Sequence, residues 1–473
     1  MRSTIMVFTQ YYLGCLAHAS YLIADERSRV AAVVDPQRDI EQYLADARAG
    51  GYSIDYVFLT HFHADFLAGH IELRDRVGAR ICLGRRAEPE FDARKLADGE
   101  RIEFGDVRLE ILETPGHTPE GISILVYDLA ARPETPYAVL TGDTLFIGDV
   151  GRPDLMASVG VTAEALADML YDSLTTKLAR LPDDTLVYPA HGAGSMCGKH
   201  LSTDTVSTIG EQKRFNYALQ PMDRETFARL VTAEQPEAPG YFSVDAMLNR
   251  QERPSLDRTL TGALRALPLD EVLRLQAEGA QVLDVRAGID FEAAHLTGAV
   301  HVGLQGPYAT WCGTVLDHDR PIVLIADAGA HEEAVIRLGR IGFDRVAGYL
   351  RDGMDALAER PDLVARIERI TAVALSEQLA RPGAPLVLDV RTEKEWQDRH
   401  IPGSLNVPLN RLRDRVGELP ADRPLVVHCE AGYRSATAAS LLAQRRPGPL
   451  YDLVGGCSAW EASRLPLEAS PPT

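Results

Sequence analysis

Residues 60–70 read THFHADFLAGH. His61 and His63 stand one residue apart, Asp65 follows, and Phe66 occupies the place where another histidine would complete a His-x-His-x-Asp-His metal loop. The apolar run before them, YVFLT (56–60), reads as a strand, so these donors leave one strand end together. Phenylalanine offers no lone pair. The stretch is either a two-metal site that lacks a ligand or a one-metal site that has no use for it.

Further donors follow the same rule. VRLEILETP (107–115) leads into TPGHTPEG with His117, YAVLTGD (137–143) ends on Asp143, and TLVYPAHG (185–192) carries His191. Each is a short β-type run that stops at a polar loop. TAEALADMLYDSLTTKLARL (162–181) has helical apolar spacing with a threonine available as cap. A lone loop histidine is most often a hydrogen-bonded structural residue. Six donors in this order, each at a strand end, favour a metal site. A polar, proline-bearing stretch near 234–258 reads as a linker closing this α/β block.

A chain of 473 residues exceeds one usual core, which predicts two to four domains. A net charge of -19 speaks against nucleic-acid and membrane-surface partners, both polyanionic. Six scattered cysteines without a Cys-x-x-Cys pair read as free thiols, and a cytoplasmic location is expected. The first residues, broken by Gln10, His18 and Ser20, read as early strands and not as a signal peptide. No run approaches the roughly 18 apolar residues of a membrane span.

The remainder contains a repeat. LDVRAGIDFEAAHLTGAVHV (283–302) matches LDVRTEKEWQDRHIPGSLNV (388–407), with Asp284 and Asp389, like His295 and His400, 105 residues apart. RPIVLIADAGAHEEA (320–334) matches RPLVVHCEAGYRSAT (423–437) 103 residues on. Two copies of about 100 residues mean a duplicated small parallel α/β domain, not a solenoid.

The first block, about residues 1–250, resembles the metallo-β-lactamase superfamily, in its glyoxalase II and persulfide dioxygenase branches. The resemblance implies an αββα sandwich. In two-metal hydrolases of that superfamily the second ion would fall on Asp65, Phe66, His191 and Asp143, a set one ligand short. The persulfide dioxygenases hold one iron with two histidines and a carboxylate, a pattern that falls on His61, His117 and Asp143. That triad leaves three iron positions open for a sulfur substrate and O₂. One mononuclear Fe(II) per chain is therefore expected, with His63, Asp65 and His191 left as supporting residues or a vestigial second site. Zinc held by His61, His63, His117 and Asp143 stays open at this point. GDVGRPDL (148–155) resembles the family's thiol-pocket segment, where Arg152 would meet a substrate carboxylate; a solvated turn arginine is the plain alternative. Cys197, six residues past His191, is either a buried structural thiol or a group facing the same pocket.

In the last copy the strand PLVVH runs into CEAGYRSATAAS. Cys429 there sits among backbone N–H groups and the positive end of a helix, which stabilise an anionic sulfur. Arg434, five residues on, adds a charge suited to a sulfur oxyanion. The Cys-x-x-Gly-x-Arg loop, preceded by HIPGSLNVP, resembles the rhodanese sulfurtransferases over about 368–473 and implies that Glu430, Ala431, Gly432 and Tyr433 cradle substrate. A phosphatase loop would be one residue longer. The middle copy, about 260–366, carries Ala326 and His331 at the places of Cys429 and Arg434, so it is expected to be catalytically silent. Cys312 in TWCGT does not replace the missing thiol, and Cys457 reads as packing. His295 and His400, present in both copies, are better explained by fold than by chemistry.

The whole chain thus resembles persulfide dioxygenase–rhodanese fusions. The resemblance implies oxidation of a persulfide such as glutathione persulfide to sulfite and thiol, coupled to sulfur transfer through Cys429. Persulfides, thiols, sulfite or thiosulfate and O₂ are the partners it implies, and a homo-oligomer, dimer or tetramer, is left open. Two competitors remain: a glyoxalase II-type zinc thioesterase, and a sulfur carrier whose first domain is only a scaffold.

Overall fold

The computed structural model describes residues 6–155, 160–235 and 237–469. The chain divides at Leu256 and Asp257 into two compact units, with the short segment Gly339–Gly342 grouped with the first.

In the first unit, the strands Met6–Leu13, His18–Asp25, Val30–Val34, Ser53–Phe58, Arg80–Gly84 and Arg94–Leu96 form one six-stranded sheet in chain order. Its first three strands are antiparallel and the rest parallel. Arg101–Phe104, Val107–Glu113, Ile122–Asp128, Ala138–Gly142, Leu186–Pro189 and Ser207–Thr208 form the second sheet, also in chain order. Side chains alternate across a strand, and the packing follows. Ile124 and Val126 join Tyr21, Phe58, Leu109 and Ile111 between the sheets. Leu125 and Tyr127 of the same strand face the other way, against Leu170, Leu174 and Phe227. That strand is buried on both faces, as the middle of an αββα sandwich must be. Full burial of a side chain such as Leu125 or Phe227 contributes roughly 1.5–3 kcal/mol.

Thr162 caps the helix Ala163–Asp172 by accepting the Ala165 N–H. The single helix expected over 162–181 ends there: a π turn at Ser173–Lys177 and a 3₁₀ turn at Leu178–Arg180 follow. The cause is local. Thr175 and Thr176 hydroxyls donate back to the carbonyls of Tyr171 and Asp172, competing with the helical backbone pattern. Ser173 also donates to the Pro115 carbonyl, which ties this turn to the His117 loop.

The 234–258 stretch carries the boundary between the two units at Leu256 and Asp257, but it is more than a linker. It contains the helix Phe242–Leu248, and Asn249 after it is fully buried. Its side chain donates to the carbonyls of His63 (2.8 Å) and Phe66 (2.7 Å) and accepts the Ala68 N–H (2.9 Å). The segment thereby satisfies the backbone of the His61–Asp65 loop, which a polar composition alone does not reveal.

The second unit holds two five-stranded parallel sheets of the same order. One runs Ala266–Leu267, Val346–Leu350, Ile322–Ile325, Gln281–Asp284, Val300–His301; the other runs Glu368–Ile370, Leu450–Leu453, Leu425–His428, Leu386–Asp389, Leu405–Asn406. The repeated sequence builds a repeated frame. Arg286 clasps Asp284 and donates to the Ala294 carbonyl; Arg391 clasps Asp389 and donates to the Arg399 carbonyl. His295 stacks on Phe291 at 4.0 Å, and its Nδ1 lies 2.8 Å from the Phe291 carbonyl. His400 stacks on Trp396 at 4.1 Å and meets the Trp396 carbonyl at 2.7 Å. These shared residues hold the fold.

Candidate functional site

The donors of the first unit converge at the strand ends. His61, His117 and Asp143 are buried, and their ligand atoms all lie within 4.8 Å of one another. His61 Nε2 is 3.7 Å and His117 Nε2 3.5 Å from Asp143 Oδ2. The remaining ring nitrogens are tied back. His117 Nδ1 meets the Arg152 carbonyl at 2.8 Å, so it carries the hydrogen. Thr60 gives its one hydroxyl hydrogen to Asp35, and so accepts from His61 Nδ1 at 3.0 Å. Both rings are therefore fixed in the tautomer that leaves Nε2 with a lone pair aimed at a common point. Burial pulls both imidazoles below their usual pKa, so they stay neutral. Burial alone would raise Asp143, but the charge and hydrogen bond of His191 hold it well below the usual carboxylate range. Two neutral imidazoles and one carboxylate in a dry site fit a single hard-to-borderline cation.

A second group, His63, Asp65 and His191, also comes within 4.8 Å. His191 bridges two carboxylates, with Nδ1 2.8 Å from Asp143 and Nε2 3.0 Å from Asp65. Burial opposes its charge, yet Asp143 and Asp65 raise its pKa well above the usual value, so it stands there as a cation. His63 Nε2 lies 3.0 Å from Asp35. Phe66 is fully buried and packs its ring 4.5 Å from His63 and 4.0 Å from His18. It fills the place of a fourth donor with hydrocarbon.

Beside this loop opens a cavity of 1080 Å³ walled by Phe62, Pro119, Glu120, Arg152, Phe242 and Arg250 among others. Arg152 is buried and donates twice to Asp154 at 2.7 Å, so a substrate carboxylate would have to displace that partner. Cys197 lies not in this wall but against Asp143 and His191. Burial, then the charges of Asp65 and Asp143, push its thiol well up.

In the second unit Cys429 follows the strand Leu425–His428 and precedes the helix Tyr433–Arg445. The turn is made by Gly432 at φ 112°, a conformation that favours glycine. Its N–H donates to Cys429 Sγ at 3.1 Å. A Cβ on Gly456 would stand 2.3 Å from the Cys429 carbonyl, which instead accepts the Cys457 N–H at 2.8 Å. Cys457 itself is buried packing. Arg434 donates both terminal nitrogens to Glu395, at 2.7 and 2.8 Å. Burial raises the Glu395 pKa, but the Arg434 partner and the Thr392 N–H outweigh it and lower it to about 2. Glu430 is held by Arg391, Arg399 and Ser458. Ala431, Gly432 and Tyr433 border a cavity shared with the middle repeat. In that repeat Ala326 is buried at the strand end and His331 stacks on Tyr349 at 3.9 Å.

Three residues with clear roles carried no sequence motif: Asp35, Thr60 and Asn249. Asp35 offered one local signal, an acid in VVDPQ directly after a strand, where its backbone turns at φ 48°.

No helix among the described residues is long and apolar enough to cross a membrane. Residues 13–191 match the metallo-beta-lactamase superfamily, and residues 268–360 and 371–463 each match the rhodanese-like domain. The mitochondrial persulfide dioxygenase ETHE1 of Homo sapiens is 31% identical over 216 residues, covering 45% of this chain and 75% of its own. A hydroxyacylglutathione hydrolase of Polaromonas sp. is 31% identical over 256 residues, covering 48% of this chain and 92% of its own. The crystal structure of a metallo-beta-lactamase from Staphylococcus aureus matches with a TM-score of 0.65 at 29% identity, over 73% of this chain and 99% of that one. The chain belongs to the metallo-beta-lactamase superfamily, as a persulfide dioxygenase–rhodanese fusion in which one such domain is followed by two rhodanese-like domains.

Proposed function

We propose that the first unit oxidises a low-molecular-weight persulfide such as glutathione persulfide, RSSH + O₂ + H₂O giving RSH, sulfite and two protons, and that Cys429 moves sulfane sulfur. The observation that carries this reading is the trio His61, His117 and Asp143, with both imidazoles locked for ligation and Phe66 closing the neighbouring position. One Fe(II) bound there would supply O₂ activation with positions left for substrate. The chain's own part is orientation and exclusion of water. Thr60 and the Arg152 carbonyl fix the two rings, while Phe62 and Pro119 wall the approach from the cavity.

Cys429 acts as nucleophile. Its thiolate attacks the outer sulfur of thiosulfate or a persulfide, the S–S bond breaks, and sulfite or thiolate leaves with the electron pair, giving an enzyme persulfide. Gly432 N–H and the helix N-terminus stabilise the anionic sulfur. All six cysteines are unpaired, which suits a reducing compartment, and a cytoplasmic location belongs to the same proposal.

A second reading, a glyoxalase II-type zinc thioesterase, is favoured by the convergence of His63, Asp65 and His191 and by the hydrolase relative. Parallel assays separate the two. The first reading expects sulfite formed in step with O₂ consumed and no cleavage of S-lactoylglutathione. Thioester cleavage without O₂ uptake would replace it by the second.

A further inference from the structure

A bond from the silent repeat reaches the Cys429 loop. Tyr433, the first residue of the helix Tyr433–Arg445, donates its hydroxyl hydrogen to the Gly303 carbonyl at 2.7 Å. Gly303 belongs to a short loop whose shape the silent repeat sets by itself. The buried Arg337 donates one terminal nitrogen to the Leu304 carbonyl (2.6 Å) and the other to the Gly306 carbonyl (2.8 Å). Gly306 turns at φ 125°, a conformation that favours glycine, and a Cβ on it would stand 2.9 Å from Tyr433 Cε2. A Cβ on Gly303 would stand 3.5 Å from the same carbon. The tyrosine ring therefore rests against bare backbone and is fixed there by its hydroxyl. At the 105-residue spacing that separates Asp284 from Asp389, the active repeat has Pro408 and Arg411 in place of Gly303 and Gly306. The seat belongs to the copy without the thiol.

What the seat secures is the peptide beside the sulfur. Gly432 N–H donates to Cys429 Sγ at 3.1 Å, yet apart from its chain neighbours nothing lies within 4 Å of where a Gly432 Cβ would stand. Packing does not hold this residue, so the chain on either side must. Upstream, Glu430 is fastened to Arg391, Arg399 and Ser458 of the active repeat. Downstream, the Gly432 carbonyl accepts the Ala436 N–H (3.2 Å) and the Ser435 hydroxyl (3.1 Å), which ties it to the helix start. Tyr433 ties that helix start to the silent repeat. A cavity of 460 Å³ borders Ala431, Gly432 and Tyr433, so an unfastened peptide has room to leave the sulfur.

We infer that Tyr433, anchored on the Gly303 carbonyl of the silent repeat, is a positioning residue for Cys429: it keeps the Gly432 N–H on the sulfur, and Gly306 and Arg337 shape its seat. The inference rests on the sulfur-transfer reading of Cys429 and gives the silent repeat a part in that site.

The test uses the full chain, with kcat and KM for thiosulfate and glutathione as acceptor, and hydrogen exchange of the peptide that holds Gly432. Tyr433→Phe removes the hydroxyl alone, and Gly306→Ala sets a methyl against the ring. Each is expected to lower kcat about fivefold with KM for thiosulfate nearly constant, the size of one lost hydrogen bond. Because both act through one seat, the double variant should fall no further than the weaker single variant. Ser440→Ala removes another bond of the same seam, from the His301 N–H at 2.9 Å, and should leave kcat within about twofold. An unchanged kcat in Tyr433→Phe, or an equal loss in Ser440→Ala, overturns the inference and leaves Tyr433 as glue between the repeats. Those two variants decide the matter if Gly306→Ala does not fold. A wild-type chain that forms no Cys429 persulfide with thiosulfate would instead sink the sulfur-transfer reading. Faster exchange at Gly432 in Tyr433→Phe would still show the anchor, and unchanged exchange would refute it.

Discussion

The two rhodanese-like repeats share everything that builds the frame and differ in the one loop that can do chemistry. Both have five parallel strands in the same order, the Asp-x-Arg clasp and the ring stacked on a histidine. Only the last repeat ends its central strand in a thiol answered by a glycine N–H and followed by an arginine. In the middle repeat those places hold a buried alanine and a histidine stacked on tyrosine. A duplicated domain can therefore lose its nucleophile without losing a core contact, and its surface stays available for other work.

The comparison breaks most sharply at the thiol. Cys429→Ser is expected to abolish sulfur transfer, a loss of at least about a thousandfold, while persulfide-dependent O₂ uptake persists. Loss of both activities together would favour the carrier reading. The frame should respond alike in both copies. Arg286→Ala and Arg391→Ala each strand a buried aspartate, and a destabilisation of about 3–5 kcal/mol is expected from either in chemical denaturation. A cost confined to Arg391 would mean that its role is specific to the active loop.

Arg434→Ala should lower thiosulfate turnover by about 10- to 100-fold, the size of a lost charge-assisted hydrogen bond, whereas His331→Ala leaves turnover unchanged. The smallest effect is on acid stability. The Glu395 pKa is depressed from 4.5 to about 2 in the fold, so its contribution is present in full above 4.5 and lost as pH falls toward 2. Acid titration of wild type against Glu395→Gln should show that loss in the wild type only. It should be modest, because Glu395 is partly exposed and solvent screens the pair.

Much of this was legible in the chain itself. The constant offset between LDVR segments announced the duplicated frame, and donors at successive strand ends marked a six-residue set, within which only the family resemblance implied the trio His61, His117 and Asp143. What supports the trio was not legible, because it is distant in sequence. Asn249 is 186 residues from the His63 carbonyl it binds. Sequence also shows a residue's type and not its partner. Arg152 and Arg434 read as free charges for substrate, yet Asp154 and Glu395 meet them in the fold. The break in the 162–181 helix followed from hydroxyls that compete with the backbone, an effect invisible to apolar periodicity.

The most direct test of the central claim is O₂ uptake with glutathione persulfide, on anaerobically prepared chain whose metal content is measured on the same sample. Uptake proportional to iron, saturating at about one iron per chain, is the predicted result. Two zinc ions per chain with no uptake would contradict it and hand the first unit to the thioesterases.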